Sequence, residues 1–237
     1  MGTLTLALLY ATLAGATIPL GGLTARVEHF RREWLEREFR HGVVAFGGGV
    51  LLAAVGLVLV PEGARHLPVA VSAAALALGG VAAMLADRAI ERRGGAGAQL
   101  MAMLLDYVPE AMALGAALAT DPGLGLLLAL LIALQNYPEG FNAYCELRDG
   151  AGVAPARALA GLAALVLLGP LAAAVGLAVL ADAPAALGVV MLAAAGGILY
   201  LTFQDIAPQA KLDCDWGPPL GAVLGFLVGM VGHQLVG

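Results

Sequence analysis

Two stretches of the chain carry acidic and amide oxygens at a spacing that a helix turns into one face. Leu105-Asp106-Tyr107-Val108-Pro109-Glu110-Ala111 sets Asp106 and Glu110 four residues apart, and Leu134-Gln135-Asn136-Tyr137-Pro138-Glu139-Gly140 does the same for Gln135 and Glu139. Side chains at i and i+4 stand one turn apart on the same side of a helix. The two stretches are versions of one motif, each with a proline just before its glutamate. A proline ring lacks the N–H and collides with the carbonyl four residues back, so Pro109 is expected to release the Leu105 carbonyl and Pro138 the Leu134 carbonyl. That would open room beside the carboxylates. Asn136 and Tyr107, one residue round from their neighbours, can each add an oxygen. Carboxylates gathered this closely repel unless they are protonated or bridged by a cation, and oxygen ligands suit divalent ions. Cation binding is the reading carried forward. Two others stand beside it: a proton-carrying site without metal, and neutral carboxyls that simply hydrogen-bond helix to helix.

The elements that must position these groups are apolar. The 237 residues are 61% hydrophobic and 12% charged, with a mean hydropathy of +0.90, against about 45–50% and about 25% in soluble domains. A soluble globular enzyme is excluded. Runs of roughly 20 apolar residues, enough to cross about 30 Å of hydrocarbon as helix, separate short charged stretches. They place eight spans at about 3–24, 42–60, 68–87, 99–119, 124–145, 156–181, 185–207 and 217–236. Stretches such as Leu51–Val60 and Ala158–Leu168 are apolar on every face, which argues against barrel strands of alternating hydrophobicity. The fold class is all-α, a polytopic membrane protein of one transmembrane domain, 1–237. Counted from the turn at Asp121-Pro122, the four motif side chains fall within about two turns of one another near the bilayer middle.

Orientation follows from the basic residues. Of the 12 Lys and Arg, all but Arg65 fall in the first, third, fifth and seventh connections, from Arg26 to Lys211. Basic loops face the cytoplasm, so both termini are expected on the outer side. Residues 1–22 lack a basic leader and read as a retained first span rather than a signal peptide. Residues 25–41 form a charged cytoplasmic connection in which Glu28/Arg32, Glu33/Arg37 and Glu36/Arg40 are spaced i,i+4. With Val27, Phe30, Trp34 and Phe39 they suggest a surface helix at the inner interface. A net charge of −5 with arginines confined to loops gives no nucleic-acid surface, and Cys145 and Cys214 make no disulfide framework or zinc-finger spacing.

At the two Pro-Glu motifs the chain resembles the ZIP (Zrt-/Irt-like) family of divalent-metal transporters, in a bacterial form that diverges at the metal site. Leu199-Tyr200-Leu201-Thr202-Phe203-Gln204-Asp205-Ile206-Ala207-Pro208-Gln209 is similar to that family's seventh-helix Glu-x-x-Pro-Glu, with Gln209 in place of the second acid. Val60-Pro61-Glu62 is similar to the Pro-Glu that ends its second helix. The resemblance implies that Asp106, Glu110, Gln135, Asn136 and Glu139 line a midplane metal site with Asp205 toward the cytoplasm. It also implies two inverted three-helix repeats, 1–3 and 6–8, around the fourth and fifth helices, with alternating access about that site. The place would be a bacterial inner membrane and the cargo a divalent metal moved into the cytoplasm. Zinc comes first by family habit, with Mn, Fe, Co or Cd open because the cluster has no imidazole. No resident cofactor is implied, the partners are the cation and the lipid bilayer, and a homodimer is compatible. Asp106 stands where the family has histidine, Tyr107 where it has asparagine, and Gly169-Pro170 where many relatives have Glu-Pro. A second, adjacent metal position is therefore weakened or absent.

Secondary candidates are His66 and His233 as metal waystations, Glu62 as a pathway residue, and Met101, Met103 and Met112 as gap-filling neighbours of the site. His29 and His41 could serve metal delivery. The glycines at 47–49 and 196–197 suit close helix contact rather than a phosphate loop. An intramembrane hydrolase is set aside because no His-Glu-x-x-His helix or Gly-x-Ser-x-Gly elbow appears, so the chain is read as no enzyme. A proton-conducting or metal-sensing protein that moves no metal remains the alternative.

Overall fold

The computed structural model describes residues 2–27, 33–92, 98–210 and 217–236. His29, the Glu28/Arg32 pair, Lys211 and Cys214 lie outside the described residues. Among those described there is no strand. The helices are α1 (Thr3–Val27), α2 (Glu33–Ala54, continued by a π-turn at Val55–Leu59 into Val60–Ala64), α3 (Val69–Glu91) and α4 (Ala98–Thr120). They are followed by α5 (Pro122–Cys145, running into a π-turn at Glu146–Gly150) and α6 (Pro155–Leu165 and Leu168–Val179). The last two are α7 (Pro184–Leu201, continued by a π-turn at Thr202–Ile206 into Ala207–Gln209) and α8 (Leu220–Val236). Six of them, all but α4 and α8, are long and apolar enough to cross a membrane; α8 is apolar but shorter.

Three local features differ from the sequence expectation. The helix expected to start near residue 42 already runs from Glu33, so the charged stretch from there on is part of α2 rather than a separate interfacial element. The expected sixth span is interrupted at Val166–Leu167. Val166 is the residue whose carbonyl the ring of Pro170, four positions on, would strike. The third difference concerns the prolines of the two motifs, because α4 and α5 pass through Pro109 and Pro138 without a break. The widened turns stand instead ahead of Pro61 and Pro208, where each π-turn contains the carbonyl four residues before the proline.

The arrangement inverts that of a soluble protein. Large apolar side chains such as Leu13, Leu78, Leu171 and Val223 are exposed, while Asp87, Asp106, Glu110, Gln135, Asn136 and Glu139 are buried. This is the distribution that hydrocarbon as solvent requires, and the chain is a multi-pass membrane protein of helical type. The pair α4 and α5 lies at the centre. α1 packs on α5 and α6 on α4; α2 packs on α8 and α7 on α3; α2 also touches α5, as α7 touches α4. The four main crossings are built on reciprocal glycines, each set against a backbone carbonyl of the facing helix. Gly21 meets Tyr137 and Gly140 meets Ile18, while Gly115 meets Ala173 and Gly176 meets Met112. Gly49 meets Ala222 and Gly225 meets Phe46, while Gly79 meets Ala193 and Gly196 meets Leu76. A methyl group at any of these positions would collide with main chain, so glycine sets the helix spacing.

Candidate functional site

The central pair brings the two motifs together. Asp106, Glu110, Gln135, Asn136 and Glu139 are all buried, none more than 5% exposed. The Gln135 side-chain amide donates through Nε2 to Glu110 Oε2 in a short hydrogen bond that ties α5 to α4. Asp106 Oδ1 accepts from the backbone N–H of Tyr107 at 2.6 Å. Asn136 Nδ2 donates to the Ala14 carbonyl of α1 at 3.2 Å. Asp106, Glu110 and Glu139 lie close enough to repel one another when ionised.

The polar atoms left over are almost all acceptors. Gln135 Oε1, Asn136 Oδ1, both carboxylate oxygens of Glu139, Asn142 Oδ1 and Thr202 Oγ1 are buried without a hydrogen-bond partner. Among the described residues, only His233 Nδ1, far along α8, adds a nitrogen to that set. Orphaned polar atoms in a low-dielectric interior cost about 1–3 kcal/mol each. A cluster short of positive charge or donors, and short of nothing else, is one that a cation, protons or water would complete.

Asp106 and Glu139 line a small cavity with Asp205 of α7, joined by apolar walls that include Leu51, Met103 and Ile206. Asp205 is half-buried there. The cavity offers about 10 Å³ to the centre of a water molecule, room for about one water or one dehydrated ion. Among the described residues, no three His, Cys, Asp or Glu side chains are arranged as they stand to hold a metal ion. The Gln135 amide occupies one oxygen of Glu110, and Asp205 belongs to the cavity rather than to the Glu110 pairing.

Tyr107 takes no part as an oxygen toward the carboxylates. Its ring is fully buried, and its hydroxyl lies between Gly15 of α1 and Gly169 of α6, 3.5 Å from the Ala11 carbonyl. The absence of a side chain at Gly169 is what makes space for that hydroxyl.

The secondary candidates stand apart from the cluster. Glu62 pairs with Arg65 at 3.3 Å on the exposed end of α2. With His66 and Asp121 they border a wider cavity of about 280 Å³ that reaches in as far as Ala117 and Met191. Ala117 is seven residues from Glu110, roughly 10 Å along α4, so this vestibule stops short of the carboxylates. His233 is half-buried on α8, Met103 is buried beside the cavity and Met112 is half-buried. The side chain of Met101 lies outside the described residues.

Two groups escaped the sequence reading. Asn142 is three residues beyond Glu139 and continues the Gln135–Glu139 face at i+7, a periodicity that could have disclosed it. Asp87, buried near the end of α3, accepts a hydrogen bond from the Tyr200 hydroxyl of α7 at 2.9 Å. Nothing in the sequence pairs residues 113 positions apart. No protein-family model and no curated protein sequence matches the chain.

Proposed function

We propose that the chain is a transporter of divalent metal cations, of the kind to which its Pro-Glu motifs are similar, and that the buried cluster on α4 and α5 is its cation site. The observation that carries the reading is the run of unpartnered oxygens on α5, at Gln135, Asn136 and Glu139, beside the two further carboxylates of α4. Inside a membrane such a deficit is retained only for a purpose, and a doubly charged ion answers all of it at once. Glu110, Glu139, Asp106 and Gln135 bind the ion, and Asp205 receives it on the cytoplasmic side. Asn136, through its unpartnered Oδ1, remains a candidate ligand while its Nδ2 holds α1.

Gln135 can stand in for part of the ion's charge. Gln135 Nε2 presents a partial positive charge to Glu110. On ion binding this amide rotates, so that Oε1 replaces Nε2 toward the site and Glu110 is released to the metal.

Eight crossings in two inverted repeats suit this function, and the packing supports them. Exchanging α1–α3 for α6–α8 and α4 for α5 maps α1·α5 onto α6·α4, α2·α8 onto α7·α3 and α2·α5 onto α7·α4, all pairs that occur. The π-turns ahead of Pro61 and Pro208 fall on the two helices that this exchange relates. A site on the exchange axis is the geometry from which rocking of one half against the other gives alternating access. The basic connections support an orientation with both termini on the outer side, the resemblance adds a bacterial inner membrane, and the 280 Å³ vestibule by Glu62 and His66 then faces outward.

Purified protein in liposomes tests the reading. Saturable uptake of Zn²⁺ or Mn²⁺, lost in Glu110→Gln and Glu139→Gln variants that keep the wild-type elution profile, is the expected result. Proton flux without metal flux would favour the proton path and overturn it.

A further inference from the structure

Asn142 is 7% exposed and its Oδ1 has no hydrogen-bond partner. Counting along α5, Gln135, Glu139 and Asn142 stand at i, i+4 and i+7, which is one helix face. From Glu139 to Asn142 the helix rises about 4.5 Å, a step short enough for an ion to hold one oxygen as it reaches the next. Four residues further, at the start of the π-turn, the same face carries the half-buried Glu146, close to the end of the helix. The stripe therefore leads from the central carboxylates toward one surface of the bundle.

We propose that Asn142 is a second, inner cation station, one turn beyond Glu139, whose amide oxygen takes the ion from the central cluster and passes it toward the end of α5. This rests on the cation-transport reading and adds a residue and a route to it. The amide is suited to the task because it is neutral. A conduction path needs sites that bind strongly enough to attract the ion and weakly enough to release it, and an uncharged oxygen between carboxylates supplies the weak step. A carboxylate at 142 would instead hold the ion there.

The test compares wild type, Asn142→Leu, Asn142→Ser and Asn142→Asp in proteoliposomes, with Zn²⁺ and Mn²⁺ as probes. Equilibrium binding and the rate of uptake are measured for each. The expected result is central-site affinity unchanged in Asn142→Leu with turnover lowered by about tenfold. Asn142→Ser, which keeps an oxygen, should lie between the two. Asn142→Asp should retain an additional equivalent of metal per chain and turn over more slowly than wild type. Wild-type turnover in both Asn142→Leu and Asn142→Asp would overturn the proposal. So would loss of equilibrium binding in folded Asn142→Ser, which would make Asn142 part of the central site. Failure of the wild type itself to bind either metal would bring down the transport reading, a result separate from any that singles out Asn142.

Discussion

Replacing Glu139 by glutamine should make the metal-free protein more stable while removing its response to metal. Both Glu139 oxygens are buried without a donor, and Glu139 lines, with Asp106, a cavity that takes about one water. An orphaned buried acceptor costs about 1–3 kcal/mol. The glutamine amide replaces one such oxygen with a donor, beside the Asp106 carboxyl that lines the same cavity. A net gain of about 1–3 kcal/mol, at roughly 2–4 °C per kcal/mol for a chain of this size, raises Tm by about 2–12 °C. Wild type should gain from metal what the variant gains from its amide: at a hundredfold excess over Kd, binding contributes about 2.7 kcal/mol. Thermal unfolding followed by tryptophan fluorescence in detergent, with chelator and then with Zn²⁺ or Mn²⁺, reads both effects. With chelator the variant melts above wild type, and with metal only wild type moves. A variant that melts lower in chelator, or equal metal-induced shifts in both proteins, would refute the argument that this cluster is a strained acceptor set awaiting a cation.

Three further outcomes are expected. Gly140→Ala drives a methyl group into the Ile18 carbonyl and should cost about 1–3 kcal/mol, whereas Gly161→Ala, with nothing within 4 Å, should gain about 0.5–1 kcal/mol; paired melting curves decide. Tyr200→Phe takes the hydroxyl from Asp87 and should lower stability by about 0.6–1.7 kcal/mol, with metal affinity unchanged. In a background with Cys145 and Cys214 replaced by serine, a membrane-impermeant maleimide should label Asp182→Cys in intact cells and Ala151→Cys only after lysis. The reverse pattern would invert the orientation.

The helix positions were legible because hydrocarbon imposes a length and an apolar composition on each segment, and Pro122, Pro155 and Pro184 each open a helix where the chain re-enters one. The burial of Asp106, Glu110, Gln135, Asn136 and Glu139 was legible for the same reason, since polar groups in apolar helices must face protein. What the residues do to one another was not. That Gln135 donates to Glu110 and Asn136 to Ala14 depends on which helices adjoin and at what rotation, information held in the glycine crossings rather than in the motifs. The prolines misled in detail: altered turns stand ahead of Pro61, Pro170 and Pro208, whereas the helix runs on through Pro138, whose ring packs against Gly47 of α2. Asn142 stayed hidden because a lone amide carries no charge to flag it.

Tyr107 extends from the centre of the bundle to a seat between α1 and α6, with glycine on either flank. A fully buried ring whose hydroxyl is seated between two glycines marks a close contact among α4, α1 and α6. If the two outer triplets of helices move against each other, they do so around this peg, which then acts as the axle of the machine, and the carboxylates next to it travel least. The ion would be carried at the still point while the walls exchange sides.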